Sequence, residues 1–264
     1  MFFVDFTSSN NHMGALTFNN QNLHKLFPPG QPFTNPYQDV LAATVPVMDH
    51  FDDDQTYPIY AFGDSTTGNY SVRQLHYGRG AKGVREVMDA YTQAVSNLRL
   101  YGPTCFIPAL IHAVNHVRVT RTYTIVVIIG DGEVLDTASN HAFLAQVVSR
   151  YPISVIMVGV GDGCNAPGET RWAKMKAFDD DVKRALGDEH SRDVFQFVDF
   201  YKETRTVVDR DERQARLLTQ MMAEVPAQFK YAREKELSNN CMMPDKVLAE
   251  WKTKIDKRAP RMVQ

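Results

Sequence analysis

Apolar residues along this chain fall into two rhythms. Short, mostly apolar runs, Phe2 to Phe6, Tyr57 to Phe62, Tyr123 to Ile129, Ile153 to Val160 and Val194 to Val198, predict strands, and the nearly continuous Tyr123 to Ile129 and Ile153 to Val160 are expected to be buried on both faces. Between them apolar positions recur every three or four residues, as in Val84, Val87, Met88, Tyr91, Val95 and Leu98, which predicts amphipathic helices. Helices are expected from Asn35-Pro36, a cap followed by proline in the first turn, to about Phe51, and over Val84 to Leu98, Pro108 to Val119, Thr137 to Arg150 and Glu212 to Glu224. Ser71 to Tyr77 alternates Val72, Gln74 and His76, the pattern of an exposed edge strand. Strands alternating with helices predict an α/β fold: a doubly wound, mostly parallel central sheet with one antiparallel edge strand and helices on both faces. The domain is expected to span 1–232. From 233 to 264 the sequence turns Lys- and Glu-rich around Trp251 and is read as a charged extension, helical or partly disordered.

Composition narrows the function classes. A net charge of -2 over 264 residues gives no electrostatic case for nucleic acid. The longest apolar run, Ile125 to Ile129, is too short to cross a bilayer, so direct membrane insertion is not expected. No basic leader with an apolar segment and a cleavage site is present. Cys105, Cys164 and Cys241 are odd in number and widely spaced, which implies neither a disulfide framework nor a zinc ribbon. The chain reads as cytoplasmic.

Chemistry concentrates at strand ends. The first run closes on Asp5, and Thr7 and Ser9 follow at alternate positions. A carboxylate with two neutral oxygens on one turn suits a small, hard divalent cation. Thr104 lies on the Tyr101-Gly102-Pro103 loop, and Asp131 ends the apolar strand Ile128-Ile129-Gly130. In doubly wound sheets the functional crevice lies at the carboxyl ends of the strands, near the reversal of strand order. Any one of these residues alone would usually cap a helix or turn; five in the same setting read as a metal site.

The sequence around them resembles the von Willebrand factor A domain in its copine version. The resemblance rests on Val4 to Asn10, Tyr60-Ala61-Phe62-Gly63, Leu100 to Thr104, Asp131-Gly132, Val158-Gly159-Val160-Gly161, Phe195 to Val198 and Ala223-Glu224-Val225-Pro226. It implies a metal-ion-dependent adhesion site for Mg²⁺ or Mn²⁺. Thr7 and Ser9 would be direct ligands, Asp5 and Asp131 would act through water, and Thr104 would approach when the site is filled. It also implies no catalysis, and a partner, an intracellular protein, that presents an acidic side chain to the open coordination position. Gly130 stands where copines usually carry threonine, which removes a hydroxyl from beside the site. Copines place two calcium-dependent phospholipid-binding domains before this module, and phospholipid association would come only through such domains, absent from this chain. The zinc-binding ubiquitin-ligase finger of plant relatives cannot be built from three scattered cysteines.

Other patterns are weaker. Gly78-Arg79-Gly80-Ala81-Lys82-Gly83 matches a dinucleotide fingerprint but follows an edge strand and lacks the later acidic strand end. His112 and His116 lack the glutamate and third ligand of a zinc site. Asp52-Asp53-Asp54 and Asp179-Asp180-Asp181 lack calcium-loop spacing and are read as solvated helix ends. Two rival functions stay open: a Mg²⁺-dependent phosphohydrolase using Asp5 as nucleophile, although Thr7 takes the place of its second acid, or a structural interaction domain with an empty metal site.

Overall fold

The computed structural model describes all residues except 32, 53, 133, 135, 164–170, 183–191, 241–244 and 259–264. A six-stranded sheet forms the centre, in the order β4-β3-β1-β6-β7-β8. Its strands are β1 (Phe2–Asp5), β3 (Ile59–Phe62), β4 (Arg73–Gln74), β6 (Thr124–Gly130), β7 (Ile153–Gly159) and β8 (Phe195–Asp199). All neighbouring pairs are parallel except β3 with the edge strand β4. The fold is therefore the expected doubly wound α/β sheet. From β1 the chain winds outward to β3 and β4, then returns to β6 and winds the other way through β7 and β8. The reversal falls between β1 and β6.

Alternation along each strand divides the apolar side chains between two cores. Phe3, Val126, Ile128, Val155 and Met157 face one; Phe2, Val4, Val127, Ile129, Ile156 and Val158 face the other. The first core is covered by α3 (Ile107–Thr120), α4 (Thr137–Gln146) and α5 (Ala173–Val182). The second is covered by α1 (Pro36–Met48), α2 (Gly83–Asn97) and α7 (Arg210–Met221). The short helix α6 (Phe200–Thr204) joins β8 to α7, and α8 (Val225–Glu234), α9 (Leu237–Asn240) and α10 (Asp245–Asp256) complete the described chain.

Some element boundaries differ from the sequence reading for local reasons. Pro58 interrupts the run from Tyr57, so Thr56–Tyr57 becomes a separate strand, β2, paired with β5 (Ala81–Lys82) in a two-stranded antiparallel ribbon. That ribbon absorbs the glycine-rich stretch: Gly78 and Gly80 take positive φ around the turn into β5, and Gly83 opens α2. The helix expected to reach Arg150 stops at Gln146 and continues as a 3-10 turn over Val148–Arg150. Asn35 caps α1 with a full capping box to Gln38. Asp53 of the first acidic triplet, and the side chains of Asp180 and Asp181 in the second, lie outside the described residues.

Candidate functional site

β1 and β6, the two strands at the reversal, place Asp5 and Asp131 side by side at their carboxyl ends. Val4 is in register with Ile129, and Gly130 lies between that pair and Asp131. Beyond Asp5 the chain turns sharply. The Thr7 amide donates to Asp5 Oδ1 at 2.8 Å, and Ser8–Asn11 forms a 3-10 turn that carries Ser9 inward. Tyr101 anchors the opposite loop, its amide donating to the Phe6 carbonyl and its own carbonyl accepting from Ser8. Thr104 then reaches the cluster from the loop that precedes α3, and its backbone bridges to Val134.

All five predicted residues come together. The Thr7 hydroxyl stands 3.0 Å from the Ser9 hydroxyl and 3.1 Å from that of Thr104, and Thr104 Oγ1 lies 3.5 Å from Asp5 Oδ2. Asp5, Thr7 and Asp131 are fully buried, and Ser9 and Thr104 nearly so. Thr104 is already within hydrogen-bond distance of Thr7, rather than set back from it. Burial, and after it the charge of Asp131, push the Asp5 carboxyl well above the usual carboxylate range; the Thr7 and Thr104 donors pull the other way only in part.

Two glycines make room for this packing. Gly63 holds φ +82°, and a β-carbon there would stand 2.3 Å from Thr7 Cγ2. At Gly130 a β-carbon would stand 2.8 Å from Asp5 Oδ2 and 2.9 Å from Asp5 Cβ. The missing threonine is thus also a steric matter: the Asp5 side chain occupies the space that side chain would need.

Sequence reasoning passed over the layer beneath. His24 lies between the rings of Phe6 and Tyr37, at 4.5 and 4.1 Å between centroids. Its Nε2 donates to the Asp5 carbonyl at 2.8 Å and its Nδ1 faces the Tyr91 hydroxyl at 2.9 Å. Burial pushes its pKa down to about 3, so the ring is neutral. Tyr37 donates to Asn10 Oδ1, and Asn10 Nδ2 donates to the Thr7 carbonyl. Two more acids follow strands as Asp5 does, but their oxygens serve loops. Asp64 accepts from the Thr66 amide and the Thr66 and Thr67 hydroxyls; Asp162 accepts from the Leu16 and Thr17 amides and the Thr17 hydroxyl. Asp64 differs from Asp5 in that each of its carboxylate oxygens accepts a hydroxyl from its own turn, Thr66 on one and Thr67 on the other.

The weaker patterns stay apart from this cluster. His112 packs its ring on Tyr60 at 4.4 Å, and burial followed by His116 lowers its pKa. Among the described residues no group of three or more His, Cys, Asp or Glu side chains is arranged to hold a metal ion, so a cation at the strand reversal would depend on hydroxyls as well as carboxylates. Among the described residues no helix is long and apolar enough to cross a membrane.

Sequence comparison decides the lineage. The copine family profile matches residues 22–240. The chain belongs to the copine family. Copine family protein 1 of Caenorhabditis elegans is 30% identical over 245 residues, covering 92% of this chain and 21% of that protein. The E3 ubiquitin-protein ligase RGLG3 of Arabidopsis thaliana is 31% identical over 242 residues, covering 86% of this chain and 61% of its own. The chain thus spans only part of these relatives. The solved structure of manganese-loaded Plasmodium vivax TRAP protein is a looser match, with 14% identity and a TM-score of 0.43 over 79% of this chain and 70% of that one, and the family assignment does not depend on it. α10 lies beyond the residues matched by the copine profile.

Proposed function

We propose that this copine chain is a divalent-cation-dependent protein-binding domain, without catalysis, in which Asp5, Thr7, Ser9, Thr104 and Asp131 hold Mg²⁺ or Mn²⁺. The observation that carries the reading is the row of hydroxyl oxygens Ser9–Thr7–Thr104, spaced 3.0 and 3.1 Å over a buried pair of carboxylates. Adjacent ligands of an octahedral magnesium ion with bonds of about 2.1 Å stand about 3.0 Å apart. Two buried carboxylates of like charge also favour a cation, which would offset the burial and mutual repulsion that raise the Asp5 pKa. Copine membership supports the same class of metal-dependent interaction domain.

The chain's own residues divide the work. Thr7 and Ser9 present neutral oxygens, so the carboxylates do not quench the ion's charge. Asp5 and Asp131 supply the negative field from behind, and the Thr7 amide fixes one Asp5 oxygen. When bound, the ion supplies a Lewis-acid position for the carboxylate of a partner, an intracellular protein presenting an acidic side chain.

Calorimetric titration with Mn²⁺ and Mg²⁺ tests the site. Wild type is expected to bind one ion and to gain about 2.7 kcal/mol of stability at a hundredfold excess over the dissociation constant. Asp5→Ala should fold and lose that gain. A wild-type melting curve unmoved by millimolar Mg²⁺ and Mn²⁺ would overturn the reading. For the partner, Mg²⁺-dependent capture that survives both chelator and Asp131→Ala would shift recognition from the ion to the surrounding loops.

A further inference from the structure

Within the charged tail after residue 232, α10 is docked on the domain. α10 lays Leu248, Trp251 and Ile255 onto the first core, each less than a tenth exposed, and the Trp251 ring meets Phe143 of α4 edge-on at 5.3 Å. Just past the helix, Arg258 folds back toward the site. One guanidinium nitrogen lies 2.7 Å from Asp136 Oδ2 and the other donates to Cys105 Sγ at 3.3 Å. Asp136 is the N-cap of α4, with φ 53°, and accepts from the Ser139 amide. Cys105 is the residue after Thr104. The same loop is held by Asn140, whose Oδ1 accepts from the Phe106 amide at 2.8 Å and whose Nδ2 donates to the Asp136 carbonyl. The Thr104–Phe106 segment is therefore fixed between the hydroxyl cluster on one side and a clasp of Asn140 and Arg258 on the other.

We infer that Arg258 is a positioning residue for the Thr104 loop, through which the docked α10 sets how readily the candidate site takes a divalent cation. The inference rests on the metal reading proposed above. A guanidinium suits the task because its planar fork reaches two groups on different elements at once, whereas an ammonium is a single point of contact. In the structure the clasp is closed and Thr104 stands against Thr7. A loop that spends part of its time away from that position lowers the apparent affinity by the fraction of time it is away.

The experiment uses the full chain with Arg258→Ala, Arg258→Lys and Asp136→Asn, the last keeping an N-cap while removing the charge. Phe229→Ala, on α8 against Tyr123, serves as a substitution remote from the clasp. Mn²⁺ affinity by calorimetry is expected to fall roughly fivefold in Arg258→Ala, less in Arg258→Lys, and to be unchanged in Phe229→Ala. In chelator, the rate of Cys105 alkylation, read by peptide mass spectrometry, should rise severalfold in Arg258→Ala and Asp136→Asn. Wild-type Mn²⁺ affinity in both clasp variants, or an equal loss in Phe229→Ala, overturns the inference alone. Absence of Mn²⁺ binding to wild type overturns the metal reading and this inference together.

Discussion

At residue 130 the backbone of β6 passes so close to Asp5 that only a hydrogen fits between them. Gly130→Ala is expected to fold, because the glycine's backbone has no left-handed requirement, but to displace the Asp5 carboxylate. Its Mn²⁺-induced rise in melting temperature should shrink relative to wild type; a rise of full size would show that Asp5 adjusts without loss. The residues gathered at the strand reversal were legible for different reasons. Asp5, Thr7 and Ser9 are close in sequence, so their spacing alone puts them on one turn. Thr104 and Asp131 were found through strand and loop context. His24 and Asn10 were not legible, since their roles depend on rings and carbonyls brought together only by folding. Asp64 and Asp162 also lie just past strands, and what tells them from Asp5 is that their oxygens are taken up by loop donors, the Thr66 and Thr67 hydroxyls for one and the Leu16 and Thr17 amides for the other.

Among the elements, the connection from β1 to α1 was the hardest to foresee. It runs for about thirty residues, among whose described residues there is no strand and only one 3-10 turn, longer than most connections in compact domains. No hydrophobic period betrays it, because it is held by single side chains: Asp162 grips Leu16 and Thr17, and His24 is the buried plug beneath Asp5. The tail was legible in part, for Leu248, Trp251 and Ile255 are spaced by three and four as a helix stripe requires, but the surrounding lysines and glutamates obscured it. His24 leads to a pH dependence. Its pKa falls from 6.5 unfolded to about 3 folded, so the unfolded chain binds more protons between those values. Its contribution is fully present above pH 6.5 and is lost as pH falls toward 3. Asp5, raised in the folded state, acts in the opposite sense, so the comparison must isolate the histidine. The stability difference between wild type and His24→Gln should shift by a few kcal/mol across that window; a difference independent of pH would mean that His24 charges while folded.

For the whole molecule, the reversal between β1 and β6 has a cost in assembly. β1 sits at the centre of the sheet, yet its partner on one side is more than a hundred residues further along, as the backbone bond from Val127 to the Met1 carbonyl illustrates. During synthesis Phe2, Phe3, Val4 and Phe6 leave the ribosome long before β6 exists to cover one edge of their strand. Pairings of such separation close slowly and leave adhesive intermediates. A fragment ending before Thr124 is expected to show little cooperative unfolding and to aggregate, while the full chain refolds from denaturant in a slow phase; a soluble, cooperatively melting fragment would contradict this. A domain wired in this way places a demand on the cell's holding chaperones that its modest length does not suggest, and the demand ends only when the strand carrying Asp131 has been made.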